Sequence, residues 1–182
     1  MKTKSTGSKI KVLLLITGSI AAVRIPLLVS QLAKENYEIR CVLSKNAEKL
    51  IKPLSLSILS RNPCILEEDQ WSSIQSSPLH IELCNWADIL IIAPLTATTL
   101  SKWVTGNADG LIPSILMANI KPIIVAPAMN SNMWINKAVQ KNYENLKNYE
   151  NVLSLHPTEG LLACDAIGIG KIPPNDLIQL AV

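Results

Sequence analysis

Phenylalanine is absent from the 182 residues, and aromatic side chains make up only 4% of them. The core must therefore be built from Leu, Ile, Val and Ala, and the aromatic platforms on which proteins stack unpaired bases are missing. Charge is also scarce: 17 Lys and Arg against 14 Asp and Glu leave a net charge of +3, with no basic stripe to track a phosphate backbone. Nucleic acid is thereby excluded as a partner. The densest basic stretch, Lys2, Lys4, Lys9 and Lys11, reads as part of a solvated arm over residues 1–9. No apolar run approaches the roughly 18 unbroken residues of a membrane span. The run from Ile10 to Val23 behind those lysines has the outline of a leader peptide, but Gly18 and Ser19 interrupt it, and it reads better as a buried strand and its turn.

Cysteine and histidine are few. Cys41, Cys64, Cys84 and Cys164 contain no CxxC and have no histidine at metal-ligand spacing, so no metal site is expected and the thiols read as reduced groups of a cytoplasmic protein. Only His80 and His156 offer an imidazole as acid or base. Glycine is sparse too, and no GxGxxG is present, which argues against a dinucleotide site.

What the chain does have is hydrophobic residues, 48% of the total, enough at this length to form a core without covalent staples. Short apolar runs at Ile10–Ile16, Tyr37–Leu43, Asp88–Ala93, Pro122–Ala126 and Val152–Leu155 read as strands buried on both faces. Stretches with helical spacing lie between them: Ile20–Glu35, Ala47–Leu59 with a break at Pro53, Thr96–Val104, Asp109–Asn119 and Asn132–Tyr149. Strand alternating with helix predicts an α/β protein over residues 10–182, a Rossmann-like three-layer α/β/α sandwich around a parallel sheet. In such a fold ligands bind beyond the carboxyl ends of the strands.

Those ends carry polar chemistry. After the first strand, Gly18 and Ser19 open a helix with free amides and a hydroxyl, which suits a phosphate and equally an ordinary N-cap. Ser44 follows the second strand, either as a further hydroxyl for an anion or as a cap. After the next long strand, Thr96, Ala97, Thr98 and Thr99 bring three hydroxyls where a cap needs one. Beyond Pro127 lies Ala128-Met129-Asn130-Ser131-Asn132-Met133-Trp134, where Asn130 can bind a carboxylate or cap the next helix. Cys164 sits in a glycine-rich loop between Gly160 and Gly170, where access favours reactivity.

In sum these residues resemble the homo-oligomeric flavin-containing cysteine decarboxylases, and within them the phosphopantothenoylcysteine decarboxylase branch of coenzyme A synthesis. Pro127–Trp134 fits the PxMNxxMW substrate motif at every fixed position, supported by Gly18–Ala22, His80 ahead of Asp88, Ala93-Pro94, Gly106–Asp109 and Leu162-Ala163-Cys164. The resemblance implies FMN as cofactor, with Gly18, Ser19, Ser44 and Thr96, Ala97, Thr98 and Thr99 around it and Ala128 near the flavin. It implies His80 as a catalytic residue acting across a subunit boundary, Asn130 and Met133 as substrate-binding residues, and Cys164 as the acid that protonates carbon. It further implies a homo-oligomer, a trimer or a dodecamer, acting on 4′-phosphopantothenoylcysteine. The expected chemistry is thiol oxidation, loss of CO2 and re-reduction to 4′-phosphopantetheine. Relatives that decarboxylate a peptide C-terminal cysteine lack the cysteine at position 164, and a non-catalytic flavin-binding regulatory subunit would not need it. The chain departs from the family pattern at Thr98 in place of Asn, at Asp165-Ala166 in place of Gly-Asp, at Lys171-Ile-Pro-Pro174 and at Arg24 in place of Lys. The resemblance stops short of the synthetase domain that follows in many bacterial bifunctional members.

Overall fold

A computed structural model describes residues 8–182; the arm expected over residues 1–9 lies mostly outside the described residues. Six parallel strands form the central sheet: β1 (Ile10–Ile16), β2 (Tyr37–Leu43), β3 (Ile65–Leu66), β4 (Ile89–Leu95), β5 (Ile123–Pro127) and β6 (Val152–Ser154), in the order β3-β2-β1-β4-β5-β6. Both faces are buried, and alternation along each strand divides the core in two. Leu13 and Leu15 of β1, Leu90 and Ile92 of β4 and Ile123 and Val125 of β5 face one layer. Val12, Leu14, Ile16, Ile91, Ala93, Ile124 and Ala126 face the other. Burial on both sides is why these strands read as unbroken apolar runs.

Helices α1 (Ile25–Leu32), α2 (Pro53–Ser60) and α8 (Asn175–Leu180) contribute to one layer; α3 (Leu79–Trp86), α4 (Ala97–Val104), α5 (Leu111–Ala118) and α7 (Lys137–Lys147) to the other. This is the Rossmann-like three-layer sandwich the sequence predicts. Chain direction across the sheet reverses between β1 and β4, so a crevice opens where their carboxyl ends diverge.

Several boundaries differ from expectation for identifiable reasons. The predicted helix over 20–35 is a 3-10 turn, Ile20–Arg24, followed by α1, because Pro26 has no N–H and its ring obstructs the carbonyl one turn back. Lys52 is extended because it precedes Pro53, so α2 begins there rather than at Ala47. The predicted helix over 132–149 is split into α6 (Ser131–Trp134) and α7, each opened by an asparagine cap, Asn130 and Asn136. The expected glycine-rich loop is mostly a hairpin: β7 (Thr158–Leu161) pairs antiparallel with β8 (Ile167–Lys171) outside the main sheet. Cys164 lies in the turn joining them, so the loop reading holds only for that tip. Asp165 adopts a left-handed conformation, φ 58°, which aspartate tolerates better than most side chains.

Candidate functional site

Two loops converge at the crevice through Thr17, a buried polar residue. Its hydroxyl donates to Pro94 O at 2.6 Å and accepts from Thr96 N at 3.1 Å, which fastens the end of β1 to the end of β4. Gly18 is pressed against the loop after β2; a methyl group there would lie 2.4 Å from Asn46 Cβ. Between these loops lies a cavity of about 500 Å³, within the usual size range of small-molecule sites. Gly18, Ser19, Ser44, Thr96, Ala97, Thr98, Thr99, Ala128, Asn130 and Met133 all line it.

The hydroxyls divide by role. Thr96 is the N-cap of α4, accepting from Thr99 N and donating to Thr99 Oγ1. Ser19 Oγ accepts from Ala21 N and Ser44 Oγ accepts from Ala47 N, so each serine keeps its own hydrogen to donate. The Ala97 and Thr98 amides, which precede the capped Thr99 amide in the first turn of α4 and have no acceptor within the helix, complete a donor-rich end suited to a phosphate. Ile112, Pro113, Ala128 and Met129 supply an apolar wall. The capping reading of both serines therefore holds, each hydroxyl still has a hydrogen to give, and the donor set would fit a ligand with a phosphate at one end and a flat apolar ring at the other.

A second cavity, about 520 Å³, adjoins the first; Ser19, Ala128, Met129 and Asn130 line both. Its outer wall is the hairpin, with Leu161–Cys164 and Gly170–Ile172. The hairpin is held down at β8. Met129 N donates to Gly170 O at 2.9 Å, and a methyl group on Gly170, φ 137°, would meet Met129 O at 2.2 Å. That contact brings Cys164 to Asn130, whose Nδ2 donates to Sγ at 3.2 Å. Asn130 Oδ1 meanwhile accepts from Asn132 N at 2.9 Å and caps α6. The cap fixes the amide so that its donor side faces the cavity. Behind it Trp134 is buried edge-to-face against Tyr143 and His156, with centroids 4.8 and 5.3 Å away, which gives His156 a packing role.

His80 is the residue the single chain does not bring to the site. It lies in the first turn of α3, which packs on α5, and lines neither cavity. Sequence reasoning in turn did not find Glu67, Lys102, Arg24 or Lys171 as lining residues. Glu67 accepts from Leu111 N at 2.5 Å at the start of α5; burial raises its pKa, opposed by that bond and by Lys102. Lys102 is paired with Asp109 at 2.7 Å, and its hydrogen bond and charge hold the Asp109 carboxyl below the usual range. Only the Gly106–Asp109 segment offered a signal here; Glu67 is brought in from a distant turn by tertiary packing.

A crevice at the strand-order reversal, a donor-rich loop end and an adjoining cavity walled by a hairpin are the features of an α/β protein with a cofactor-sized site at the carboxyl ends of its strands. The chain belongs to the Flavoprotein family, whose model matches residues 1–182, and its cofactor is accordingly a flavin. It is 36% identical over 187 residues to a phosphopantothenoylcysteine decarboxylase of Arabidopsis thaliana, covering 100% of this chain and 88% of that one. Among solved structures, a mutant PPC decarboxylase complexed with pantothenoylaminoethenethiol superimposes with a TM-score of 0.86 at 36% identity, covering 95% of this chain and 96% of that one. The FMN binding protein AtHal3 superimposes with a TM-score of 0.81 at 36% identity over 95% and 94%. The chain spans between 27% and 42% of the length of several other curated relatives that it matches. Among the described residues no helix is long and apolar enough to cross a membrane, and no cluster of His, Cys, Asp and Glu could hold a metal ion.

Proposed function

We propose that the protein is an FMN-dependent decarboxylase of 4′-phosphopantothenoylcysteine, forming 4′-phosphopantetheine in coenzyme A biosynthesis. The observation that carries this is the Asn130–Cys164 contact in a cavity that shares a wall with the phosphate-suited one. Residues 10–182 form the flavin-binding unit. Ser19, Ser44 and the start of α4 hold the FMN phosphate, and Ala128 and Met129 form the apolar wall between the two cavities. FMN supplies the two-electron sink that a cysteinyl carboxylate, with no neighbouring carbonyl, otherwise lacks.

Asn130 Nδ2 binds the substrate carboxylate and orients it for loss of CO2, while Met133 borders the cysteinyl end. Cys164 Sγ, exposed at the hairpin tip and held by Asn130, delivers a proton to carbon after CO2 has left. The hairpin limits the access of water to that step. His80 assists removal of the substrate thiol proton from a neighbouring subunit, which makes the working unit a homo-oligomer, trimeric or built of trimers. The free cysteines fit a reducing, cytoplasmic setting.

The test is to record the visible spectrum of the purified protein, add 4′-phosphopantothenoylcysteine, and follow CO2 together with the flavin bands. Yellow protein that releases CO2 with no net bleaching is expected. Yellow protein without CO2 would leave a flavin-binding subunit or another cysteinyl substrate, and protein that cannot take up FMN would overturn the cofactor assignment.

A further inference from the structure

The ladder between β1 and β4 ends at Leu15 and Ile92. Beyond it the two strands follow different neighbours, and the donors around the first cavity fall into two groups. Gly18, Ser19 and Ser44 stand on the β1–β2 side, where Ser44 N donates to Ile16 O at 3.0 Å. The start of α4 and Ala128 stand on the β4–β5 side, where Ala128 N donates to Leu95 O at 3.1 Å. Among the described residues, two hydrogen bonds join the β1 end to the β4 end beyond the ladder. The Thr17 hydroxyl makes both of them, to Pro94 O and from Thr96 N.

Thr17 is 1% exposed, and its one hydrogen is committed to Pro94 O, so it has none to give a ligand. Its carbonyl accepts from Ser19 N at 2.8 Å, which closes the turn that presents the Ser19 hydroxyl. On the other side Thr96, held by Thr17, caps α4 through Thr99 N, which fixes the direction of the free Ala97 and Thr98 amides. One buried side chain thus sets the separation of the two halves of the phosphate-suited donor set. Valine in its place would keep the shape but leave Pro94 O and Thr96 N without this partner, and the strand ends would lose their link across the crevice.

We infer that Thr17 is the positioning residue for the flavin phosphate: without touching the cofactor, its hydroxyl holds the Ser19 and α4 donors at the spacing that makes the site prefer a phosphorylated flavin. This rests on the placement of FMN proposed above. The hydroxyl acts on retention of the phosphate end and not on the apolar wall, which Ile112, Pro113, Ala128 and Met129 supply from other segments.

The test is to challenge flavin-loaded protein with increasing riboflavin, which lacks the phosphate, and to measure the FMN displaced from the wild type, Thr17→Val and Thr17→Ser. The riboflavin concentration that displaces half of the FMN should be about tenfold lower for Thr17→Val, whereas Thr17→Ser, which keeps the hydroxyl, should stay close to the wild type. General loosening of the pocket weakens both flavins alike and does not move this ratio. Should Thr17→Val fail to fold, Thr17→Cys, with a weak donor and acceptor at the same place, should show the shift in smaller measure. A folded variant without the hydroxyl that prefers FMN as strongly as the wild type does, or a Thr17→Ser protein that behaves like Thr17→Val, would overturn the inference alone. A wild type that holds riboflavin as tightly as FMN would overturn the phosphate placement with it.

Discussion

Asn130→Asp separates two tasks performed by one amide. Oδ1 caps α6 by accepting from Asn132 N, and Nδ2 reaches Cys164 and, in the proposed mechanism, the substrate carboxylate. Aspartate caps a helix as well as asparagine does, so α6 and the buried Trp134 behind it should survive. Asn130→Ala, by contrast, forfeits a cap worth about 1 kcal/mol, or about 2–4 °C in Tm for a domain of this size. The effect on catalysis should be reversed in rank. Aspartate removes a charge-assisted donor worth about 1.5–3 kcal/mol. It also sets a carboxylate against a carboxylate, which at about 4 Å and an effective dielectric near 20 adds up to about 4 kcal/mol of repulsion. At about 1.4 kcal/mol per tenfold, kcat/KM should fall by about 100-fold or more. Thermal melts and CO2 release measured on both variants test this. Asn130→Asp with kcat/KM within a few-fold of wild type would refute the assigned donor role, and a Tm loss equal to that of Asn130→Ala would refute the capping account.

Burial raises the Glu67 pKa above its ordinary value, so its favourable contribution is complete at low pH and is lost as the carboxyl ionises in the folded protein. Glu67→Gln keeps an acceptor for Leu111 N, so its Tm should exceed that of the wild type near neutral pH, with the difference shrinking as the pH falls to about 4; a constant difference would contradict the sign. Burial pushes the Cys41 thiol far up, Cys64 to about 12 and Cys84 to about 11, whereas Cys164 is exposed. Iodoacetamide at mildly alkaline pH should therefore label Cys164 first by mass spectrometry and slow CO2 release in proportion; prior labelling of Cys41 or Cys84 would contradict this. If His80 acts across a subunit boundary, His80→Asn and Asn130→Asp proteins, each inactive alone, should recover part of the activity when co-assembled, and a mixture that stays inactive would place His80 elsewhere.

The parallel sheet was legible because its central strands β1, β4 and β5 are buried on both faces and carry mostly Leu, Ile, Val and Ala; β2, with Glu38 and Arg40, and β6, with Leu153 exposed, lie nearer the edges and are not buried on both faces as their apolar runs led one to expect. The sixth, Ile65–Leu66, is two residues at an edge and leaves no periodic trace. The hairpin was missed because Gly160, Gly168 and Gly170 replace the alternating side chains by which strands are recognised, and their reason lies in tertiary contacts. Gly168 faces Ser131 Oγ, and Gly170 faces Met129 O. Helix α3 had a usable sign in Leu79 and Leu83 directly after Pro78, and α8 in the prolines before Asn175. For the site, the strand-end rule picked out the lining of the first cavity, because those residues follow strands directly. Glu67 and Lys171 were not visible in that way, since a turn and a hairpin bring them in from other parts of the chain, whereas Arg24 lies in the segment after β1 that the rule points to.

The hairpin stands apart from the six-stranded sheet and meets the rest of the site chiefly through Gly168 and Gly170. It supplies the thiol of Cys164, yet the tip that carries Cys164 is exposed and adds nothing to either core layer. In the proposed mechanism the proton that decides the product thus comes from a segment anchored through β8, where Ile169 packs against one core layer and Gly170 O accepts from Met129 N. On that mechanism, exchanging the turn residues 162–166, which belong to neither core layer, changes which end product leaves the flavin pocket without disturbing the packing on either face of the sheet.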